Sequence, residues 1–422
     1  MKKIILIIAL IFTVNSVLAQ GVFVRSSMSM ILVENNSIKD EKGPLVNAAY
    51  KNYPFPKSVY NNHQLPQTSI NLDSYKLTPE EEAQFGVKKS EAGQLLGAVA
   101  SDATAGIVQD DSQVEFELQK YIKQSRLAHE QLKKWFNIKD DGSLNLDYVK
   151  EMINMQLTEE QKLQAVASGS ESVAIEANRE YLIDNTYTVF TRLNFVSNEP
   201  IALAIKATAD KIASDKLTGL PLEMALKASE KIYEKTKEGY SVWTSGWLFD
   251  LQWGAEEKAM FDSCIEGDKI NLDKFYAQEF KLNYVGKENA TSLVTFSLKK
   301  GEGDRTEEQI IDLSTNRNID KVLVKLQRAY DQFMPIFPLQ QDKPIGAFLG
   351  LKEGIEGGEK FEVLGPRQPN GEYKVLGTIT ADKKNIWDNN YGSTDEKGMT
   401  LFTGKLPKMA GKDYGTLIRQ KR

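Results

Sequence analysis

The chain has 422 residues, of which 41% are hydrophobic and 26% charged, values typical of a globular rather than a disordered protein. This length predicts two or three domains with real hydrophobic cores. The formal net charge is −5 and the sequence contains no basic stripe. Nucleic acid is therefore a poor partner, because neutralisation of phosphates dominates that affinity.

The first twenty residues carry the pattern of a cleavable signal peptide. Lys2 and Lys3 form a basic start, a short apolar segment covers residues 4–12, and small residues precede a cleavage site predicted after Ala19. No cysteine follows that site, and no later stretch is long and apolar enough for a transmembrane helix. Removing residues 1–19 takes Lys+Arg from 53 to 51 against 58 Asp+Glu, a net charge of −7. We expect a periplasmic or secreted protein without a lipid anchor.

Residues 20–75 predict a strand followed by an extended arm. The strand is expected within Gly21–Asn36, where valines alternate before an apolar run. Residues 42–72 contain four prolines among many Asn and Tyr residues and show no sustained periodicity. Because proline removes backbone donors and blocks regular ladders, we expect this segment to lie extended over the surface.

Residues 76–160 predict a helical region. Thr78–Glu81 is a capping box with proline at the first helical position, so a short helix begins there. A Gly/Ala/Ser-rich stretch at 91–106 is interpreted as a linker. Apolar residues at helical spacing predict one long helix over 114–136, and a further helix is expected from about residue 147.

Residues 161–338 predict a mixed α+β domain. Strands are expected where Tyr, Thr, Val and Phe are concentrated, and helices where alanine-rich or amphipathic periodicity appears. The predicted strands are 180–196, 240–253, 280–285 and 292–298, and the predicted helices are 201–215, 222–237 and 305–333.

Residues 344–422 carry short β-type runs separated by glycine-rich turns. Strands at this spacing predict a small barrel, which we interpret as SH3-like. The predicted fold class is therefore α+β: a mixed helix and sheet region followed by a small, SH3-like β-barrel domain.

The sequence predicts no catalytic, cofactor-binding or metal-binding residues. The only histidines, His63 and His129, have no partner at metal-ligand spacing, and we expect both to be solvated surface residues. Residues 137–148 fail as a calcium loop, since Lys139 stands where an oxygen ligand is required. Cys264 is the single cysteine and is expected to be an inert, partly buried thiol. A glycosidase pair of carboxylates leaves no local sequence pattern, so it is left open.

The best candidate binding residues lie in the segment 240–253. If this segment is one regular strand, its odd-numbered aromatic residues share a face. These residues are Trp243, Trp247, Phe249 and Trp253. Exposed, such a row is a platform on which indoles stack against sugar rings. Large aromatics at period two more often mean burial, so the favoured interpretation is a core face under the alanine-rich helices.

Seven segments within residues 160–422 resemble, in the same order, an uncharacterised family of secreted proteins from Bacteroidetes. The segments are 178–196, 239–253, 279–286, 350–365, 373–379, 385–392 and 415–420. The resemblance implies a Gram-negative envelope setting and an α+β region followed by a small β domain. It transfers no site residues.

We expect an exported, non-enzymatic envelope protein that serves as a protein-interaction or structural component, with other envelope proteins as partners. The alternative is a glycan- or peptidoglycan-binding protein that uses Trp243, Trp247 and Trp253, with a hydrolase as its less favoured variant. No cofactor is expected.

Overall fold

The computed structural model describes residues 27–34, 42–54, 61–85, 111–148, 182–294, 305–367, 373–407 and 416–422. The predicted signal peptide and the linker at 91–106 lie outside these residues. So does all but the start of the helix expected from about residue 147.

A mixed sheet lies at the centre of the fold. Its strands, in spatial order, are β2 (Asn61–Asn62), β1 (Ser27–Val33), β4 (Thr186–Ser197), β5 (Tyr240–Leu251) and β8 (Leu282–Val294), and β3 (Ser69–Ile70) also pairs with β1. β1 runs parallel to β2, β3 and β4, whereas β5 is antiparallel to both of its neighbours, β4 and β8.

The strands β4 and β5 confirm the strands predicted within 180–196 and 240–253, although β4 begins only at Thr186 and residues 182–184 are helical. The prediction of separate strands at 280–285 and 292–298 is wrong, because β8 continues through the polar residues between them. Lys287 is accommodated within β8 because its amine pairs with the Asp111 carboxylate at 2.8 Å. Residues 295–298 lie outside the described residues.

One face of the sheet packs against α1 (Gly43–Lys51) and the long helix α9 (Glu307–Ala329). Thr306 and Gln309 cap α9 reciprocally. Ile319, Val322 and Leu326 lie on its buried side, as the periodicity predicts. The helix approaches the sheet closely at Gly246, where a Cβ atom would lie only 2.8 Å from Val322 Cγ2.

The other face of the sheet packs against α3 (Val114–Ser125), α4 (Leu127–Trp135), α7 (Ala255–Asp262) and α8 (Leu272–Ala277). A short hairpin of β6 (Ile265–Glu266) and β7 (Lys269–Ile270) joins the last two helices. The helix α2 (Pro79–Phe85) begins at the predicted capping box, where the Thr78 amide donates to Glu81 Oε2 at 2.8 Å.

The single long helix predicted over 114–136 is wrong. Arg126 adopts a left-handed conformation with φ 56° and separates α3 from α4. The break turns the chain so that Tyr121 and Trp135 both reach the sheet, each about 1% exposed or less. It also places the Arg126 guanidinium 5.0 Å from the Tyr276 ring centroid, a stabilising cation–π distance.

The predicted surface arm at 42–72 is also wrong. Pro44 stands in the first turn of α1, where proline is tolerated because the first amides of a helix need no partner. Val46 and Tyr50 of this helix are buried, and the following residues pair with β1 through β2 and β3. The described parts of this segment, 42–54 and 61–72, therefore contribute to the core.

A closed barrel of six antiparallel strands ends the chain and confirms the predicted small barrel. Its strands are β9 (Ile336–Asp342), β10 (Ile345–Ala347), β11 (Lys360–Arg367), β12 (Tyr373–Ala381), β13 (Thr400–Gly404) and β14 (Leu417–Gln420), in the spatial order β10-β13-β12-β11-β14-β9. β9 begins before residue 344, where the composition change had placed the start of this domain. Phe361 and Phe402 inside the barrel belong to the same apolar cluster as Leu326 of α9, so the barrel is docked on the helix.

A helical hairpin connects the antiparallel strands β4 and β5. It consists of α5 (Asn198–Lys216) and α6 (Leu220–Thr236), which confirm the helices predicted at 201–215 and 222–237. The two helices pack chiefly against each other. None of the helices in the described ranges combines the length and apolar character needed to cross a membrane.

Candidate functional site: an exposed helical hairpin

The aromatic row predicted on β5 is part of the core. Trp247 and Phe249 are 0% exposed and Trp253 is 6% exposed, while Trp243 is half-buried. The Trp253 ring lies 5.9 Å from the Phe261 ring. The helices that cover this face are α3, α4, α7 and α8, and not the alanine-rich pair α5–α6 that we expected to cover it. An exposed platform for sugar stacking is absent from Trp247, Phe249 and Trp253.

Two positively charged side chains lie over the ring of Trp247. The Arg192 guanidinium lies 5.6 Å and the Lys287 amine 5.0 Å from its ring centroid. Both cations pair with the Asp111 carboxylate, which also accepts a hydrogen bond from Ser245 Oγ at 2.5 Å. Asp111 thus fastens the chain entering α3 to the middle of the sheet. This compact arrangement holds a single carboxylate whose charge is already compensated, so we interpret it as structural.

The prediction that both histidines are solvated is wrong. His63 is 3% exposed and stacks on Trp135 with ring centroids 4.6 Å apart. His129 is 5% exposed and lies against the rings of Phe275, Tyr276 and Phe280. Burial lowers the pKa of both, and that of His63 falls to about 3. Both are therefore neutral core residues at physiological pH.

Cys264 is buried, as predicted, with its thiol 3.2 Å from the Met260 carbonyl oxygen. Burial raises the pKa of this thiol, which keeps it protonated and unreactive. Among the residues that the structure describes, no group of three or more His, Cys, Asp or Glu side chains is placed to hold a metal ion.

A carboxylate is buried where α9 meets the barrel. Asp320, 5% exposed, accepts a hydrogen bond from the Tyr53 hydroxyl at 2.5 Å and lies 3.5 Å from the Lys352 amine. Burial nevertheless raises the pKa of Asp320 to about 6. Tyr53 follows α1 and Lys352 precedes β11, so this carboxylate joins three parts of the fold.

A cleft of about 200 Å³ lies nearby, between the C-terminal half of α9 and the end of β14. Val324, Arg328, Glu353 and Arg422 are among the residues that line it. Sites for drug-sized ligands usually enclose about 300–1,000 Å³. The cleft is smaller than that and holds no aromatic side chain that could stack on a ligand.

The base of the α5–α6 hairpin is fixed to the sheet. The Asn198 amide donates to the Gly239 carbonyl oxygen at 3.0 Å, which closes the two ends of the hairpin. The Asn198 side chain donates to the Val294 carbonyl oxygen at 3.2 Å and accepts from Ser241 Oγ at 2.8 Å. Asn198 is only 1% exposed, so these contacts are shielded from water. The hairpin therefore projects from the end of β4 and β5 in a defined direction.

One side of the hairpin carries an ion-pair network. The Lys206 amine lies 2.6 Å from Asp210 and 3.2 Å from Glu230 across the helix pair. Ser229 of α6 donates to Asp210 of α5. These contacts, together with the buried Ala202 and Ala213, show which sides of the two helices face each other.

The opposite side, which we call the isoleucine face, is apolar and open to solvent. Ile205 and Ile212 are seven positions apart and so point within about 20° of each other, at 100° per residue. Because the helices are antiparallel, the side of α6 with Ile232 lies beside them. The three are 55%, 50% and 56% exposed. Towards the tip, Leu220 is 69% and Met224 65% exposed.

Apolar side chains that lie together on the surface of a soluble protein commonly mark an interaction site. Sequence reasoning found both helices but assigned their apolar residues to the core. A signal was present: Leu203 and Ile205 lie about 160° apart on a helix, so one neighbouring sheet could not have covered both.

Comparison with protein-family models, with curated proteins and with solved structures found no match for this chain.

Proposed function

We propose that this protein is an exported, non-enzymatic component of the cell envelope that acts by binding, with the isoleucine face of the α5–α6 hairpin as its contact surface. The observation that carries the proposal is the exposure of Ile205, Ile212 and Ile232, each half or more open to solvent. Export rests on the pattern of the first twenty residues. The C-terminal barrel, which we interpret as SH3-like, would be a second module for docking.

Two features support a binding role for the hairpin rather than a structural one. Its helices pack chiefly against each other, so the isoleucines contribute little to the rest of the core. Its base is nevertheless held rigidly through Asn198, so the surface is presented without a large ordering cost on binding. A surface that is exposed, apolar and preorganised is suited to recognition.

The glycan-binding alternative has less support. It needs indole faces that sugars can reach, whereas Trp247 is buried beneath Arg192 and Lys287 and Trp253 is buried against Phe261. Trp243 alone is half-buried, and a single partly covered ring does not form a platform.

Site-specific photo-crosslinking in the producing cell tests the contact surface. A photoreactive residue at Thr208, which is exposed beside the isoleucines, should form adducts with protein or lipid of the envelope. The matched probe at Glu223, exposed on the opposite side of the hairpin, should not. Equal labelling from both positions, or none from Thr208, would show that the hairpin is not the contact surface.

Export is tested separately by fractionation and N-terminal sequencing. The mature protein should begin at Gln20 and should be absent from the cytoplasm. An intact N-terminus on protein that remains in the cytoplasm would contradict export.

A further inference from the structure

We infer that the occupant of the isoleucine face is an anionic lipid surface. This inference rests on the proposed function, because it names the partner of the same face. It follows from how charge is distributed around the hairpin, from the residue types on the face, and from what a second copy of the chain would meet there.

Charge is sorted between the two sides of the hairpin. With about 100° per residue, four lysines that are unpaired among the described residues point about 20–120° from the isoleucines on their own helix, and five acidic residues point about 120–180° away. The lysines are Lys211, Lys216, Lys231 and Lys235, and the acidic residues are Glu199, Asp210, Glu223, Glu230 and Glu234. Asp215 is the one acidic residue of the hairpin on the lysine side, and Lys227, about 140° from Ile232, is an exposed lysine on the acidic side. An apolar strip with a basic rim is therefore opposed to an acidic side.

The rim lysines are available for a partner. All four are exposed, and within the described part of the chain none of them forms an ion pair. The lysines that do pair, Lys206 and Lys237, lie on the acidic side or at the end of α6. An apolar face edged by lysines is the arrangement by which amphipathic helices bind anionic lipid surfaces. Each lysine near such a surface raises the binding affinity about five-fold.

The residue types favour lipid over a folded protein partner. Protein interfaces concentrate their binding energy in Trp, Tyr and Arg anchors. The isoleucine face has aliphatic side chains and alanines, and the one aromatic residue of the hairpin, Tyr233, lies on the half-buried side. Aliphatic side chains that have no pocket to fill gain most by entering the acyl boundary of a bilayer.

A second copy of the chain is disfavoured by the same rim. Two isoleucine faces that pair around a two-fold axis would bring lysine rims against each other, because both subunits present the same patch. Like charges opposed across an interface cost affinity. The net charge of −7 expected for the mature chain (51 Lys+Arg against 58 Asp+Glu) does not prevent approach to an anionic surface, since charges beyond about 8 Å are screened at physiological ionic strength.

Vesicle flotation of the purified full protein tests the inference. Binding to vesicles of phosphatidylethanolamine and phosphatidylglycerol should exceed binding to phosphatidylcholine vesicles at least ten-fold. The variant Ile205→Ser/Ile212→Ser/Ile232→Ser should lose at least ten-fold in binding. So should Lys231→Glu/Lys235→Glu, while its matched control, Lys383→Glu/Lys384→Glu on the exposed barrel surface, should bind as the unmodified protein does.

Equal binding to neutral and anionic vesicles, or undiminished binding by the isoleucine variant, would overturn the inference. If vesicles are not bound but the protein forms dimers that the isoleucine variant abolishes, a second copy is the occupant and the lipid inference is wrong. In that case, or if Thr208 crosslinks only to an envelope protein, the proposed function still stands. It fails only if the crosslinking probe on the hairpin labels nothing selectively.

Discussion

Two pairs of helices in this fold have similar amphipathic sequence patterns, but their apolar side chains differ in exposure to solvent. In the pair α3–α4, Leu118, Leu132 and Trp135 are 0% exposed and lie on the sheet. In the pair α5–α6, Ile205, Ile212 and Ile232 are half or more exposed. Both pairs are amphipathic helices that connect strands of one sheet, so helical periodicity alone does not distinguish them.

The difference lies in how the connections leave the sheet. The chain around α3 and α4 crosses from β1 to the parallel strand β4, and a crossover between parallel strands must pass over a face of the sheet. The hairpin α5–α6 joins the antiparallel strands β4 and β5, which need only a short turn. Its helices therefore extend beyond the sheet end and are not needed to cover a face. This contrast supports assigning the first pair to stability and the second to binding.

The difference between the two helix pairs is tested most directly by a Leu→Ala substitution in each pair. Leu132→Ala should lower the free energy of unfolding by about 2–5 kcal/mol, because it leaves a cavity in a core where Leu132 is 0% exposed. Leu203→Ala, at a position 54% exposed on α5, should change it by less than about 0.5 kcal/mol. Urea denaturation measures both. Similar losses from the two variants would show that the hairpin is also a core element.

Acid should affect the α3–α4 layer through His63, which stacks on Trp135. Burial lowers the pKa of His63 to about 3 in the folded protein, against about 6.5 when unfolded. The unfolded chain therefore binds the extra proton first, and stability falls as the pH drops from about 6.5 towards 3. The loss should reach roughly 3 kcal/mol by pH 4.

The measurement compares unfolding free energies of the unmodified protein and His63→Gln between pH 7 and pH 4. The variant should lack this part of the pH dependence, whatever its absolute stability. If the unfolding free energies of the two proteins showed the same pH dependence, His63 would be protonated in the folded state and not buried in its neutral form against Trp135. The hairpin contains no histidine, so it offers no equivalent acid response.

On the opposite face of the sheet, Asp320 should give a dependence of the reverse sign. Its pKa is raised to about 6 by burial, so the folded protein holds a proton that the unfolded chain loses near pH 4. The stability is complete below pH 4 and is lost as the pH rises through 6. Asp320→Asn should remove this loss, which amounts to about 2–3 kcal/mol at pH 7.

The Asn variant keeps an acceptor for the Tyr53 hydroxyl, so the comparison isolates the charge. Chemical denaturation at pH 4.5 and pH 7.5 is the readout. If Asp320→Asn instead destabilises the protein more at pH 7.5, the pairing with Lys352 outweighs burial and the assignment of a raised pKa is wrong.

The sequence could predict elements whose signal is local. Strands β4 and β5 follow from runs of Tyr, Thr, Val and Phe, and the barrel follows from short β runs between glycines. The helices α5 and α6 follow from their periodicity, although nothing local shows what covers them. The fold class can therefore be predicted from the sequence, whereas the arrangement of the layers cannot.

Features that depend on distant contacts could not be predicted. His63 is buried because it reaches Gln131, 68 positions away, at 3.1 Å. The break at Arg126 is required by the sheet that both α3 and α4 must cover, which no local residue signals. For the same reason, the sequence shows that the aromatic residues of β5 share one face but does not show which helices cover that face. The expected cover, α5–α6, is wrong, since α3, α4, α7 and α8 lie there.

The smallest expected effect on stability belongs to the isoleucine face itself. Ile205→Ser, Ile212→Ser and Ile232→Ser should each change the free energy of unfolding by less than about 0.5 kcal/mol, because serine has a similar helix propensity and the side chains are already exposed. Thermal unfolding of the triple variant should therefore match the unmodified protein even where binding is lost. A large drop in melting temperature would mean that another part of the chain covers the face within the fold. The hairpin would then be a second core element like α3–α4, because a face reserved for a partner contributes to binding without contributing to folding.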